Sequence, residues 1–268
     1  MSVNVAAIQM VSSRVLAENL QQAEALVAEV AASGARLAVL PENFALFASR
    51  EIGVLAEAEA VDASLQTFLS ELARRYQLIL VGGTIPIPAD DGRMYATSFV
   101  YAANGDCLGY YRKIHLFDAE VGDSQGHYRE SDTYAPGDSV AVLETELGRL
   151  GIAVCYDLRF PELFRAMQDL EVDIIALPSA FTRSTGWAHW LPLVRARAIE
   201  NQCVVVAANQ GGIHDAKRQT SGGSVVVDSW GRVLAEAGLG AGCVIASYDA
   251  EEQAALRKRM PVAQHRRL

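Results

Sequence analysis

Three residues with reactive side chains, Glu42, Lys113 and Cys155, each follow a short apolar segment of the sequence. Such segments are typical of buried β-strands. Ligands of open α/β folds bind outside the carboxyl ends of strands, so polar side chains at these positions are the first candidates for a site. A thiol, a carboxylate and an ammonium group are also the residue types that enzymes use as nucleophile, acid–base group and charge stabiliser.

Each of the three residues also has an ordinary structural explanation. A cysteine after an apolar strand is often a small buried side chain, and a lysine at the end of a hairpin often protects a sheet edge. A glutamate after a strand is usually a solvated loop residue or a helix cap. Pro161 is expected to open a short helix, with Glu162 in its first turn. The dipole of this helix would favour the thiolate form of Cys155. Their position at strand ends therefore favours a functional role for these residues but does not establish one.

Apolar segments rich in β-branched residues alternate with segments of helical periodicity, which predicts an α/β fold. Ser12 or Ser13 is expected to cap the first helix, and Gly34 to end it. No repeat or linker interrupts the pattern, so residues 1–268 are predicted to form a single domain. Strands are predicted over 3–8, 37–40, 78–83, 172–177 and 203–208, helices over 16–30, 65–76 and 187–200, and hairpins over 94–111, 142–154 and 224–235.

Composition and charge limit the classes of function. The 268 residues are 51% hydrophobic, and the net charge of −9 argues against binding to nucleic acid or to an anionic membrane. No uncharged stretch approaches the ~20 residues of a membrane-spanning helix, and no signal peptide is evident. The four cysteines, Cys107, Cys155, Cys203 and Cys243, lack the paired spacing of a zinc site or disulfide framework. We therefore predict a cytoplasmic protein with no metal.

Two further segments have a composition typical of a loop and of a charged tail. The segment from His115 to Ser139 is rich in Gly, Asp and Ser and is predicted to be a long loop, which is either mobile or functional and could act as a lid. The basic tail from Arg257 to Leu268 is expected to be solvated or covered by a partner.

Three sequence blocks resemble the signature blocks of the nitrilase (carbon–nitrogen hydrolase) superfamily. They are Pro-Glu-Asn-Phe at 41–44, Tyr-Arg-Lys-Ile-His-Leu at 111–116 and Val-Cys-Tyr-Asp-Leu-Arg-Phe-Pro-Glu at 154–162. They occur in the order of the family and with similar spacing. The resemblance extends over essentially the whole chain, and it implies a four-layer α-β-β-α sandwich that forms a homodimer or a higher homo-oligomer.

The resemblance also implies a mechanism for amide hydrolysis without a cofactor. Cys155 would attack the carbonyl and form a thioester, releasing ammonia, while Glu42 transfers the protons. Lys113 and the backbone N–H of Tyr156 would stabilise the oxyanion. Glu130 matches a second glutamate that many members of the family use to orient the lysine and the substrate.

The later part of the chain is similar to the Nit branch of this superfamily, through residues 177–181, 185–190, 195–203 and 261–267. This similarity implies a small amide that carries a carboxylate, with deaminated glutathione favoured. The alternatives are 2-oxoglutaramate or the substrate of another amidase of the superfamily. Because the protein is acidic overall, a local cation must bind the carboxylate. Arg159 is the first candidate and Arg183 the second, although Arg159 could instead pair with Asp157 or Glu162.

Three alternative functions are compatible with the sequence. A cysteine–histidine hydrolase would require one of the five histidines, of which His115 lies nearest to Lys113 and is interpreted as structural or as part of a pocket wall. A non-catalytic interaction module could use the same fold. A nitrile could be the substrate in place of an amide. If Cys155 is activated, its thiol should be labelled far faster than those of Cys107, Cys203 and Cys243.

Overall fold

Two β-sheets pack face to face between two layers of helices in the computed structural model, which describes residues 2–48, 51–123 and 126–267. The strands are β1 (Ser2–Gln9), β2 (Ala35–Val39), β3 (Ile79–Val81), β4 (Ile85–Pro88), β5 (Met94–Tyr101), β6 (Cys107–Arg112), β7 (Asp118–Glu120), β8 (His127–Arg129), β9 (Ala141–Thr145), β10 (Gly148–Ile152), β11 (Ile174–Ser179), β12 (Val204–Asn209), β13 (Gly211–Ile213), β14 (Gln219–Ser221), β15 (Val225–Val227), β16 (Val233–Glu236) and β17 (Gly242–Asp249). The helices are α1 (Leu16–Ala32), α2 (Ile52–Asp62), α3 (Ser64–Tyr76), α4 (Pro161–Asp169), α5 (Arg183–Asn201), α6 (Ala250–Arg259) and α7 (Val262–His265).

The first sheet has the order β17-β1-β2-β3-β5, with β4 and β6 also paired to β5. The second sheet has the order β16-β15-β12-β11-β10-β9. The central strands of each sheet are parallel, and parallel neighbours require long crossover connections. Helices α1, α3, α4 and α5 lie in these connections and cover the outer faces of the sheets. The structure is therefore the predicted four-layer α-β-β-α sandwich.

The central strands are apolar on both faces, which explains their nearly continuous hydrophobic sequences. In β1, Val5 and Ala7 pack between the two sheets. Ala6 and Ile8, each one residue further along, pack against the helices of the outer layer. A one-residue shift in register would exchange these two faces, so burial on both sides fixes the position of the strand.

The predicted strands, helices and hairpins are present, with boundaries that differ by a few residues. The predicted serine cap of α1 is wrong, because the helix begins at Leu16 and the Ser12 hydroxyl donates instead to the carbonyl of Phe44 at 2.9 Å. The predictions did not include α2, β4, β17 or α6. In the described part of the chain, no helix combines the length and the apolar character needed to cross a membrane.

The segment 115–139 is not the irregular loop that we predicted. It contains the antiparallel pair β7–β8 and a 3-10 turn over Glu130–Asp132. Residues 124 and 125, at the tip, lie outside the described residues, and the possibility of a lid stays a prediction. In the basic tail, Arg257 is part of α6 and donates to Asp173 at 2.8 Å, whereas residues 258–260 and 263–267 are exposed, as expected of a solvated tail. Leu268 lies outside the described residues.

Candidate active site

Glu42, Lys113, Glu130 and Cys155 come together in one cavity of about 230 Å³. The Lys113 ammonium donates to Glu42 Oε1 at 2.8 Å and to the two carboxylate oxygens of Glu130 at 2.8 and 2.9 Å. Lys113 and Glu42 are only 2% and 5% exposed. Isolated charges would be very unfavourable at such burial, so these groups depend on one another.

Glu42 lies in a tight turn that follows β2. The turn places Asn43 at φ 56°, and the N–H of Asn43 donates to the Thr84 hydroxyl at 2.9 Å. Gly83, at φ 56°, lies so close that a Cβ atom there would be 2.2 Å from the carbonyl oxygen of Pro41. A side chain at position 83 would therefore displace the turn that presents Glu42.

Lys113 follows β6 directly, and the backbone holds it on both sides. Its N–H donates to the carbonyl of Ala96 at 3.0 Å, and its carbonyl accepts from Gly137 at 2.8 Å. Burial alone would lower the pKa of Lys113, but the negative charges of Glu130 and Glu42 outweigh it and raise the pKa well above its ordinary value. The side chain is therefore a permanent positive charge in the cavity.

Glu130 begins the 3-10 turn that follows β8 and bonds to Lys113 through both oxygens. Its Oε2 also accepts the N–H of Phe117 at 2.6 Å. Burial raises the pKa of Glu130 and the nearby Glu42 adds to this effect, whereas Lys113 opposes it. The structure thus brings the predicted second glutamate to the lysine.

Cys155 is the first residue of a 3-10 turn over Cys155–Arg159, and its φ of 48° lies in the left-handed region. A non-glycine residue adopts this conformation at a cost of about 1–3 kcal/mol, and such residues cluster at functional sites. The conformation turns the chain sharply after β10 and points the thiol into the cavity.

The expected thiolate of Cys155 is not supported. Burial raises the pKa of the thiol well above its ordinary value, and the negative charge of Glu42 adds to the rise. Lys113 and the N–H of Ala180 act in the opposite direction without reversing it. Helix α4 begins only at Pro161, behind the 3-10 turn, so its dipole does not act directly on the sulfur. In the free protein Cys155 is therefore a neutral thiol.

Asp157 was not predicted as a site residue, yet it joins two of the signature blocks. Its fully buried carboxylate accepts from the Tyr111 hydroxyl at 2.8 Å and from the Val154 N–H at 2.8 Å. It also accepts from the backbone N–H of His115 at 3.0 Å, and Nδ1 of the His115 ring lies 2.7 Å from the same carboxylate. The signal available in the sequence was an acidic residue two positions after Cys155, within the third signature block.

Arg159 lies beside Cys155, in the wall of a second and much smaller cavity. Its guanidinium is 3.2 Å from His189 Nδ1 and packs near the ring of Phe181. In the described part of the chain it forms no ion pair with an acidic residue. The simple surface pairing that we considered for Arg159 is therefore absent there.

Arg183 is not brought to the site. Its guanidinium lies over the ring of Trp187 at 4.5 Å and donates to Gln219 at 2.8 Å. It belongs to the walls of neither cavity at Cys155. Tyr156, whose N–H we predicted as an oxyanion donor, lines the smaller cavity.

The histidines provide no partner for Cys155. The ring of His115 bonds to Asp157 and stacks on Phe160 with centroids 3.7 Å apart, which is the predicted structural role. His214 bonds through Nδ1 and Nε2 to the backbone of Ser12 and the hydroxyl of Thr220. No described histidine lines either cavity at Cys155. Across residues 2–48, 51–123 and 126–267, no three His, Cys, Asp or Glu side chains are grouped to hold a metal ion.

The expectation that labelling would single out Cys155 requires correction. Cys107 is exposed at the start of β6 and not protected within an apolar strand. Cys203 is buried, and Cys243 is partly buried beside Glu29. Because exposure and pKa both control thiol reactivity, Cys107 must be removed before labelling can report on Cys155.

Residues 4–258 match the carbon–nitrogen hydrolase family. A deaminated glutathione amidase of Yersinia enterocolitica is 40% identical over 266 residues, which are 98% of this chain and 93% of that protein. Omega-amidase NIT2 of Danio rerio is 36% identical over 263 residues, which are 98% of this chain and 94% of that protein. The crystal structure of the C. elegans NitFhit protein aligns with a TM-score of 0.91 and 36% identity, over 99% of this chain and 65% of that chain.

The fold and the site together define a hydrolase that acts on carbon–nitrogen bonds other than peptide bonds. The chain belongs to the carbon–nitrogen hydrolase family, in the Nit branch of the nitrilase superfamily. The family assignment and the prediction of an enzyme are thus confirmed. The alternative of a non-catalytic interaction module finds no support among these relatives.

Proposed function

We propose that this protein is a cysteine-dependent amidase in which Cys155 is the nucleophile, Glu42 the acid–base group and Lys113 the charge stabiliser. The observation that carries the proposal is the buried contact of the Lys113 ammonium with Glu42 and Glu130 in the cavity that Cys155 lines. A neutral thiol requires a base at the moment of attack, and Glu42 is the carboxylate whose charge acts on it in the same cavity.

In the first half of the reaction, Cys155 Sγ attacks the amide carbon and its proton moves to Glu42. The carbonyl oxygen becomes an oxyanion, which the Lys113 ammonium and the N–H of Tyr156 stabilise. Glu42 then protonates the amide nitrogen, the carbon–nitrogen bond breaks, and the amine leaves a thioester on Cys155. Glu130 holds the Lys113 ammonium in position through its two oxygens.

In the second half, water enters in place of the amine. Glu42 removes a proton from the water, whose oxygen attacks the thioester carbon. The carbon–sulfur bond then breaks, the acid leaves, and the proton on Glu42 returns to the sulfur of Cys155. The cycle restores all groups without a metal ion or an organic cofactor.

For the substrate we propose deaminated glutathione, with 2-oxoglutaramate as the alternative. Both carry a 2-oxo acid at the acyl end, and Arg159 in the wall of the smaller cavity is the cation that would bind its carboxylate. Their leaving groups differ. Cleavage of 2-oxoglutaramate releases ammonia, whereas the acyl amide of deaminated glutathione is secondary and releases a peptide amine. The expected release of ammonia therefore applies only to the alternative substrate.

The test measures 2-oxoglutarate formed from each substrate by wild type, Cys155→Ala and the control Cys107→Ala. We expect turnover of deaminated glutathione to exceed that of 2-oxoglutaramate, no turnover by Cys155→Ala, and normal turnover by Cys107→Ala. A preference for 2-oxoglutaramate would identify an omega-amidase with the same mechanism. Normal turnover by Cys155→Ala would refute the choice of nucleophile.

We also propose a cytoplasmic location, a single domain over 1–268 and assembly into a homodimer or higher homo-oligomer. The four cysteines are free, which suits a reducing compartment. Large apolar side chains at the surface, among them Trp230 at 59% exposure, support an interface between copies. Size-exclusion chromatography with light scattering tests this assembly, and a monomer at all concentrations would contradict it.

A further inference from the structure

Cys155 lies where two cavities meet. The larger cavity contains Glu42, Lys113 and Glu130, and the smaller one contains Arg159. Four residues belong to the walls of both cavities: Phe117, Cys155, Ala180 and Thr182. The thioester would therefore form at the junction of the two cavities.

The position of Glu42 decides which part of the substrate enters which cavity. The leaving amine takes its proton from Glu42, so the nitrogen must lie within hydrogen-bond reach of that carboxylate. Glu42 lines the larger cavity and not the smaller one. The leaving amine thus faces the larger cavity, and the acyl chain extends past Cys155 toward Arg159.

Two arginines line the larger cavity, and their surroundings differ. Arg218 donates to Asp215 and to the carbonyl of Phe47, both at 2.8 Å. Arg129, the last residue of β8, has no hydrogen bond or ion pair from its side chain within the described residues. Asp118 lies opposite Arg129 in the hairpin, but its carboxylate accepts from the N–H and the hydroxyl of Ser131 at 3.0 and 2.6 Å.

We propose that Arg129 binds a carboxylate on the leaving amine, so that the site selects amides whose amine is a short anionic peptide. This inference rests on the proposed amidase function and explains how a peptide amide would be distinguished from a primary amide. The Lys113 ammonium is already engaged by two carboxyl groups in the larger cavity, so a carboxylate on the leaving amine would need a further cation. The planar guanidinium of an arginine suits a carboxylate through two parallel hydrogen bonds.

The test uses three amides of one acid, 2-oxoglutarate: the primary amide, the amide with cysteinylglycine, and the amide with cysteinylglycinamide. The third differs from the second only in its neutral terminus. Arg129→Ala should raise KM for the cysteinylglycine amide about two- to fivefold and leave the other two nearly unchanged, because an exposed charge pair contributes modestly. Arg129→Lys should recover part of this loss, and Arg74→Ala, at an exposed arginine on α3, is the matched control.

The outcomes separate the two proposals. If Arg129→Ala changes KM for the charged and neutral peptide amides equally, or changes neither, the assignment of Arg129 is wrong while the amidase function stands. The same conclusion follows if the wild type cleaves only the primary amide. If the wild type cleaves none of the three, the proposed function itself fails. Added salt provides a second measurement, since it should raise KM for the cysteinylglycine amide by a larger factor in the wild type than in Arg129→Ala.

Discussion

Replacing Asp157 by asparagine should test how the nucleophile is held. The carboxylate is fully buried and accepts from Tyr111, from the Val154 N–H, and from the backbone and ring of His115. Asparagine has nearly the same shape, but only its oxygen accepts hydrogen bonds. Its amide nitrogen would face groups that donate in the native structure, so the substitution removes acceptors without creating a cavity.

The magnitude follows from these bonds. An amide oxygen can accept about two of the four contacts, and a hydrogen bond to a charged group contributes about 1.5–3 kcal/mol. Loss of two such hydrogen bonds would lower the free energy of unfolding by about 3–6 kcal/mol. The Tyr111 hydroxyl and the ring of His115 can instead accept from the new amide, which returns part of that loss. We therefore expect the free energy of unfolding to fall by about 3 kcal/mol, a large part of the 5–15 kcal/mol typical of folded domains.

Activity should fall as well, for a separate reason. Asp157 fixes the Val154 N–H, and the next residue, Cys155, has a left-handed conformation that only its surroundings stabilise. A relaxed turn would move the sulfur away from Glu42, and small displacements of a reacting atom cost about 100-fold in rate. We expect kcat to fall about 10- to 100-fold, with a smaller change in KM.

The assay combines urea unfolding with kinetic measurements in the absence of urea. Circular dichroism shows beforehand that the variant has a native fold under the conditions of the kinetic measurements. Asp138→Asn, at an exposed aspartate, is the control for the change of charge. A loss of less than about 1 kcal/mol in Asp157→Asn, together with an unchanged kcat, would show that the network does not hold the nucleophile.

Three further variants probe the same site. Glu42→Gln should lower turnover about 10²–10⁴-fold because it removes the acid–base group. In a Cys107→Ser background it should also speed alkylation of Cys155, because the charge of Glu42 raises the pKa of the thiol, and slower alkylation would contradict this. Lys113→Met should lower the free energy of unfolding by about 3–5 kcal/mol at neutral pH and by less in acid, where a carboxylate takes up a proton. Chemical unfolding at two pH values measures the difference, and a loss that does not depend on pH would contradict this explanation. Gly83→Ala should lower stability by at least about 1 kcal/mol and reduce kcat by moving the Glu42 turn, so normal kcat would refute that link.

The layered fold could be predicted because burial leaves a strong pattern in the sequence. The central strands are apolar on both faces, and the helices between them carry one apolar stripe. Helix α2 was missed because its apolar and acidic residues are spread around the helix. Strand β17 was missed because it pairs with β1, more than two hundred residues earlier, so that tertiary contacts specify it.

The candidate site was predictable at its three strand ends and less so in between. Glu42 and Lys113 follow β2 and β6 of the first sheet, and Cys155 follows β10 of the second sheet. Their position at strand ends marked them in the sequence, and the face-to-face packing of the two sheets brings them into one cavity. The approach of Glu130 depends on the β7–β8 hairpin, whose short strands have no clear alternation. The role of Gln210, which donates to the carbonyl of Glu42 and to the Ser12 hydroxyl, joins positions far apart in the chain and leaves no local signal.

The charge balance of the cluster explains why a neutral thiol is the consistent state. Two carboxyl groups share one ammonium group in a buried cavity, so the positive charge of Lys113 is already engaged before the thiol loses its proton. A thiolate at Cys155 would add a further negative charge beside Glu42. Proton transfer to Glu42 during attack leaves the total charge of the protein groups unchanged until the oxyanion forms next to Lys113. The arrangement therefore confines charge separation to the transition state, where stabilisation accelerates the reaction.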